Sequence, residues 1–373
     1  MSKNLLMISG FGATALAEGK QNAFYNTLEE LHKYWNRIDI ICPRSKHQEV
    51  KELFGNVFIH TSPWPLIFQV KFIFRKGREI VKNNKIDLIT AHEYAPFYNG
   101  IGAYLLNLVT RVPYVLEIMH IPGLPKSSSL KEFVYKYLTK FYLQFDSHKA
   151  RAVRVINKKQ TRDFVIDAGV PASKIHYIPA FYIDLDVFKL ENIEKKYDLI
   201  YVARLEKNKG IQNLTKAVSL IKKTKPDISL LLIGSGPLKL SLKEQVAGEG
   251  LESNIHFSGW LDTPLDVAKA YNGARVFINP ALNEGGPRVA LEAMACGLPI
   301  VTTRVGVLED IIQEGQNGIF CGWDYISLAQ SIERMLNDKN LQQICSRNAL
   351  KTVQQFEKVG AIREYAERLS SFS

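Results

Sequence analysis

Residues 277–297 read FINPALNEGGPRVALEAMACG, and the signals in them succeed one another as strand, loop and helix. Phe277 and Ile278 close an apolar run that begins at Ala274, Pro280 ends it, and Gly285-Gly286-Pro287 turns the chain. From Arg288 onward Val-Ala-Leu-Glu-Ala-Met-Ala favours helix, and Gly297 stands where a helix C-terminus prefers a left-handed residue. A strand leading through a glycine turn into a helix is the unit from which helix-covered parallel sheets are built. Such sheets bind ligands outside the carboxyl ends of their strands, so the loop 280–287 is the first place to look for chemistry.

The same alternation extends along the chain. Buried strands are predicted at 5–9, 38–42, 87–91, 114–118 and 152–157, and again at 198–203, 229–233, 254–257, 274–278 and 300–302. Helices are predicted over 22–35, 130–145, 211–224 and 238–248. A chain of 373 residues exceeds what one core supports, so the pattern is built twice. The predicted fold is α/β: two Rossmann-like parallel-sheet domains, 1–185 and 190–373, facing each other across a cleft. The charged run Glu191–Lys196 marks the seam, and a closing helix over 355–373 is free to pack back on the first domain.

With 46% hydrophobic and 23% charged residues, the composition is that of an ordinary soluble globular protein. Cys42, Cys296, Cys321 and Cys345 are scattered without a Cys-x-x-Cys pair, which predicts free thiols in a reducing cytoplasm. No apolar run reaches the ~20 residues needed to span a bilayer. The net charge of +11 is uneven. Residues 1–190 hold 26 Lys+Arg against 16 Asp+Glu, whereas residues 191–373 hold 22 against 21. The basic half favours an anionic partner. No base-reading motif accompanies the charge, so nucleic acid is not expected.

Glu284 and Glu292 are eight residues apart, roughly 12 Å at helical rise, which lets each carboxylate serve a different sugar of one ligand. Glu292 lies in an almost wholly apolar helix and needs a partner there; the alternative is an N-capping Glu284 with Glu292 on the surface. Gly285 and Gly286 leave backbone N–H groups bare for a phosphate or sugar oxygen. Arg204 and Lys209 leave the end of the 198–203 strand together, a placement suited to clamping a diphosphate, although two such cations are often plain surface. Gly234-Ser-Gly-Pro237 is a further turn after a strand. His92 and His120 stand at strand ends, and Pro122-Gly123 after His120 turns it toward the crevice.

Glu284-x7-Glu292 within NEGGPRVALEAMACGLPIV resembles the signature of retaining family 4 glycosyltransferases with the GT-B fold. Ala203-Arg204 through Lys209-Gly210, Gly234-Ser-Gly-Pro237, Gly306 with Glu309, and Gly315-x-x-Gly318 follow in that family's order, as do Val112-Pro113 with His120 and the run Gly169–Pro179. The resemblance implies a UDP- or GDP-sugar as substrate, no separate cofactor and no metal. It implies catalytic roles for His120, Glu284, Arg204 and Lys209. Gly12, Gly234, Trp260, Gly285, Gly286, Pro287, Leu291 and Glu292 would bind the donor, Glu292 at the ribose and Gly234 with Trp260 at the base. Fixed cations would stabilise the departing diphosphate, the electrostatic help that a metal gives elsewhere. No Asp-x-Asp pair ends a strand. Two departures stand out: Ala180-Phe-Tyr-Ile-Asp184 replaces the family's Asn-Gly-Val-Asp turn near the hinge, and Phe11 splits the glycine pair of the first loop.

Two stretches of the first half mix aromatics with cations. In residues 62–78 the apolar residues keep no single face, and Trp64, Phe68, Arg75 and Lys76 suit an acceptor at an anionic membrane surface. In the second stretch Phe133, Tyr137, Phe141 and Phe145 recur every four residues, which predicts a buried helix face with solvated lysines opposite. These features predict a peripheral protein on the inner face of the cell membrane, acting on a lipid-linked or glycan acceptor. Near the N-terminus, LLMISGFGATALAEGKQ (5–21) mimics a signal peptide, but Gly10 and Gly12 break its core. As a P-loop it lacks a glycine at Thr14 and a hydroxyl at Gln21. Gly10–Ala15 fits a dinucleotide turn, the basis of an alternative NADP-dependent oxidoreductase, yet Pro43-Arg44 stands where an acidic ribose ligand belongs. The remaining reading is a glycine loop facing the cleft. A non-catalytic nucleotide-sugar-binding protein is the other alternative.

Overall fold

The computed structural model describes residues 3–373. The chain divides into two compact units: one comprises the chain up to Ile121 with Val134–Ala180 and Val359–Ser373, the other Pro122–Phe133 with Phe181–Lys358.

The first unit runs β1 (Asn4–Ile8), α1 (Phe11–Ala17), α2 (Ala23–Leu31), β2 (Arg37–Cys42), β3 (Glu52–Leu53) and β4 (Val57–Thr61). It continues with α3 (Gln69–Asn84), β5 (Leu88–Glu93), α4 (Tyr98–Thr110), β6 (Tyr114–Ile118), α5 (Leu130–Asp146), β7 (Ala152–Val155), α6 (Gln160–Asp167) and β8 (Ile175–Tyr177). Its sheet has the order β3-β4-β2-β1-β5-β6-β7-β8 and is parallel except for the two-residue edge strand β3. Leu5, Leu6, Ile38, Ile40, Leu88, Ile89, Val115 and Leu116 are fully buried, as continuous apolar strands covered on both faces must be.

The second unit holds β9 (Tyr197–Val202), α7 (Ile211–Ile221), β10 (Leu230–Ile233), α8 (Lys239–Gly248), β11 (Ile255–Gly259), α9 (Pro264–Asn272) and β12 (Ala274–Asn279). Then come α10 (Arg288–Ala295), β13 (Ile300–Thr302), α11 (Leu308–Ile311), β14 (Ile319–Phe320), α12 (Tyr325–Asn337) and α13 (Lys339–Val353). The sheet order is β11-β10-β9-β12-β13-β14, parallel throughout. A last helix, α14 (Lys358–Ser370), lies almost wholly in the first unit. There the Tyr365 hydroxyl donates to Glu117 Oε1 at 2.8 Å and the Arg154 guanidinium lies 3.9 Å from the Tyr365 ring centre.

Three expectations are corrected. Residues 10–15 are not a glycine loop: α1 begins at Phe11, straight after Gly10, and Gly12 sits inside it. Within residues 62–78, the part from Gln69 onward does keep one face. After a single turn at Leu66–Phe68, α3 buries Gln69, Phe72, Ile73, Gly77 and Ile80, while Phe68 and Arg75 are exposed. The aromatic stripe of α5 points outward: Phe133, Tyr137, Phe141 and Phe145 are 46–75% exposed, and Thr139, Tyr142, Leu143 and Asp146 are buried instead.

The reason lies in what the other face of α5 meets. The Tyr142 hydroxyl is hydrogen-bonded to Asp146 Oδ2 and stands 3.0 Å from Glu93 Oε2, and the Tyr114 hydroxyl donates to Asp146 Oδ1 at 2.5 Å. Glu93 also accepts from the N–H groups of Tyr94 and Gly100. Polar residues that satisfy one another can go inside, and here they displace the aromatics. Burial pushes the Glu93 carboxyl up to about 8 and the Asp146 carboxyl up to about 6. The folded state therefore holds protons that the unfolded chain releases near the ordinary carboxyl values of 4.5 and 3.8. With more protons bound in the native state, stability falls as pH rises through this interval up to about 8. Thermal melts from pH 5 to pH 9 are expected to show that decline, and Glu93→Gln to flatten its upper part. A melting temperature that climbs toward pH 9 would contradict the assignment.

Candidate active site

In the second sheet the strand order reverses between β9 and β12, so the loops after these strands flank a switch point, where doubly wound sheets bind ligands. Lys209 ends the first of these loops and Glu284 lies in the second. Their side chains meet as an ion pair, Lys209 Nζ on Glu284 Oε1, with only 13% and 18% of each exposed. Gly210 makes this possible. Its φ of +68° is left-handed, and a Cβ there would overlap the carbonyl oxygen of Pro280, so the two loops touch backbone to backbone. The Leu282 N–H donates to Asn208 O at 2.8 Å and binds them further.

Arg204 does not accompany Lys209. It is 66% exposed and pairs with Glu206 Oε1 at 3.0 Å, so one of the two expected cations is held in the site and the other stands at its rim.

The loop after β10 closes against the first of these. Gly234, with φ +141°, passes so near Ala203 that a Cβ would strike its carbonyl oxygen, and Leu205 N–H donates to Ser235 O at 2.9 Å. Trp260, following Gly259, is 63% exposed. No side chain caps α7, α8 or α10. Three helices thus begin after the neighbouring strands β9, β10 and β12 without a side-chain cap, and their dipoles favour an anion there. Glu284 is therefore not an N-cap.

Glu292 is half-buried rather than a free surface carboxylate. Burial raises its carboxyl pKa, against the pull of Arg288 and the Tyr271 hydroxyl, which stands 3.2 Å from Oε2. Leu291 beside it is fully buried and packs in the core. Gly285 and Pro287 are buried, and a Cβ on Gly286 would enter the Phe181 ring.

Asn283, fully buried, is a residue that motif reading missed. Its amide donates to Lys126 O at 2.9 Å and to Glu132 Oε2 at 3.0 Å, and accepts from Asn208 at 3.4 Å. Pro125 forms an isolated bridge with it, so the segment from Pro122 to Phe133 holds the residue next to Glu284 in place. No sequence signal links positions 150 residues apart.

In the first unit His120, half-buried, follows β6. Gly12 is exposed in α1, its carbonyl accepting from Asn22 Nδ2 at 2.8 Å. Phe11 and Tyr94 follow β1 and β5, which flank that sheet's own switch point. Trp64 lies half-buried under the cations Lys71 and Arg75, each 5.4 Å from its ring centre, and Lys76 pairs with Glu79. Among the described residues no group of three His, Cys, Asp or Glu is gathered as a metal site would require. All four cysteines are free and buried.

Residues 18–183 match the family model Glycosyltransferase Family 4, and residues 183–352 match Glycosyl transferases group 1. N-acetyl-alpha-D-glucosaminyl L-malate synthase of Bacillus anthracis is 30% identical over 377 aligned positions, covering 96% of this chain and 93% of that protein. Among solved structures, sucrose-phosphate synthase from Thermosynechococcus elongatus superposes with a TM-score of 0.80 at 20% identity, covering 99% of this chain and 98% of that one. Anabaena HepE in complex with UDP and glucose superposes with a TM-score of 0.76 at 19% identity, covering 99% and 100%. The two-domain α/β fold with parallel sheets is that of GT-B glycosyltransferases. Its sequence and its fold agree: the chain belongs to the group 1 glycosyl transferases.

Proposed function

We propose that the chain is a retaining, metal-independent transferase that moves a hexose-type sugar from a UDP- or GDP-sugar to a lipid-linked or glycan acceptor in cell-envelope glycan synthesis. The observation that carries this reading is the Lys209–Glu284 pair at the switch point, where the helices after β9, β10 and β12 begin without a side-chain cap. Lys209, with Arg204 at the rim, receives the diphosphate. Glu284 and the backbone of Gly285 to Pro287 hold the sugar hydroxyls, Glu292 takes the ribose, and Gly234 with Trp260 brackets the base. For His120 and Gly12, in the first unit, the family resemblance implies roles at the sugar or acceptor and at the donor.

In the transfer the bond from C1 to the β-phosphate oxygen breaks and the acceptor oxygen bonds C1 on the same face. The acceptor proton leaves on the released diphosphate. Fixed cations and amide dipoles stabilise the charge as it develops on that leaving group. The basic first half suits attachment to the inner face of an anionic membrane, with Trp64, Phe68, Arg75 and Lys76 near the acceptor. A small hydroxy-acid acceptor is the second reading, favoured by the Bacillus anthracis relative, whose name specifies L-malate.

A thermal-shift panel of UDP- and GDP-sugars tests the donor assignment. One nucleotide sugar is expected to stabilise the protein by about 2.7 kcal/mol at a concentration 100 times its Kd. No shift with any of them would contradict both the transferase reading and a nucleotide-sugar-binding protein without catalysis.

A further inference from the structure

The outward face of α5 is built the wrong way round for a helix that packs only on its own sheet. At ~100° per residue, Val134, Tyr137, Leu138, Phe141 and Phe145 fall within about 100° of one another. They are 45%, 57%, 46%, 75% and 56% exposed. Thr139, Tyr142, Leu143 and Asp146 occupy the opposite, buried face. Lys136 and Lys140 run along one flank of the stripe, and no carboxylate stands on the exposed face between Val134 and Phe145.

Neighbouring helices extend this surface. The connections from β4 to β5, β5 to β6 and β6 to β7 all step the same way across the sheet, so right-handed crossovers put α3, α4 and α5 on one face. Tyr104 of α4 packs against Phe145, ring centres 5.2 Å apart, and α4 exposes Leu108 and Val109. On the far side of α4, α3 exposes Lys71, Arg75 and Arg78, and Arg75, Arg78 and Lys82, with the single carboxylate Glu79, line a groove against Thr110. The layer is therefore an apolar, aromatic stripe beside a bank of cations.

We infer that this layer is a membrane-docking surface: α5 lies in the plane of a fluid anionic bilayer, Leu138, Phe141 and Phe145 enter the acyl boundary, and the lysines and α3 cations meet lipid phosphates. Charge complementarity decides the occupant. A second copy of this face would set cations against cations with Glu79, already paired with Lys76, as the one carboxylate on α3 to answer them, whereas a bilayer of acidic lipids supplies the missing charge. The inference rests on the membrane reading proposed above and moves its main apolar contact from residues 62–78 to α5.

The test is co-sedimentation with phosphatidylcholine vesicles, with and without phosphatidylglycerol. Binding to the anionic vesicles is expected to be stronger by at least about tenfold and to fall with added salt. Leu138→Asp with Phe141→Asp is expected to lower it by about tenfold or more at an unchanged melting temperature. Lys136→Glu with Lys140→Glu, which leaves the stripe intact, is expected to remove most of the preference for phosphatidylglycerol. Retained binding in the α5 variants, with loss in Phe68→Asp/Arg75→Glu, would overturn this inference and leave the membrane reading standing. Absence of binding to either vesicle would overturn both. A concentration-dependent dimer that Phe141→Asp dissociates, without vesicle binding, would make the stripe a self-association face and equally overturn the inference. None of these outcomes touches the nucleotide site, which the thermal-shift panel reports separately.

Discussion

Lys209→Ala is expected to lower kcat for sugar transfer by about 10²–10³, the size of effect seen when one fixed donor to a developing anion is removed. The side chain is mostly buried and already paired with Glu284, so it is held in place before any donor arrives. A held cation needs no reorganisation as the diphosphate departs, which is why its loss falls on kcat more than on KM. The substitution also leaves Glu284 without its cation. Glu284→Ala is therefore expected to cost a similar factor, and the double variant little beyond either single one, because the two act as one unit. Circular dichroism and melting curves should place the variants with the folded protein, since the loops are knitted by backbone contacts at Gly210 and Leu282 rather than by this pair. Arg204→Ala, at the exposed rim, should cost less than Lys209→Ala. Equal and full activity in Lys209→Ala and Glu284→Ala would show that the chemistry lies elsewhere.

Glu117→Ala is expected to cost the first unit about 3–5 kcal/mol, the range for a buried charge stripped of its partner. Glu117 and Arg154 are each 2% exposed, with Arg154 Nη1 at 2.5 Å from Glu117 Oε1. Arg154 also donates to Ile178 O and Pro179 O, and Tyr365 closes over it from α14. Without Glu117 the guanidinium keeps its carbonyl contacts but loses its counter-charge, and Tyr365 loses the acceptor of its hydroxyl. For a unit of this size the loss corresponds to a fall of roughly 10 °C in melting temperature, readable by scanning calorimetry. Replacing Glu117 and Arg154 together by leucine and methionine should recover much of it, because no unpaired charge then remains. A shift under 2 °C in Glu117→Ala would mean that water reaches the pair.

Sheet-forming segments were legible because strands covered on both faces are plain apolar runs: 114–118 and 300–302 match the observed strands residue for residue. Val57–Thr61, Ile175–Tyr177 and Ile319–Phe320 carry no such run, being short or mixed in polarity and only partly buried. Periodicity along α5 correctly reported an amphipathic helix but not which side is inside. That choice was made by Tyr142 and Asp146 finding partners on Glu93 and Tyr114, residues on other strands and loops. In residues 62–78 the pattern looked mixed because it ran across the start of α3 at Gln69. Within the candidate site, Glu284, Glu292 and Lys209 were visible as types and spacings. The Lys209–Glu284 contact was not, since it depends on the sheet order that sets β9 beside β12. Asn283 and its hold on the Lys126–Glu132 segment had no local signature at all.

On the function proposed here, the site flanking β9 and β12 transfers a sugar from a nucleoside diphosphate with its anomeric configuration kept. Proton NMR of the reaction with the donor identified by thermal shift and an added acceptor tests it most directly. Each nucleoside diphosphate released is expected to be matched by one new glycoside whose anomeric coupling is that of the donor. Nucleoside diphosphate released with an inverted product, or donor bound with neither release nor product, would contradict it.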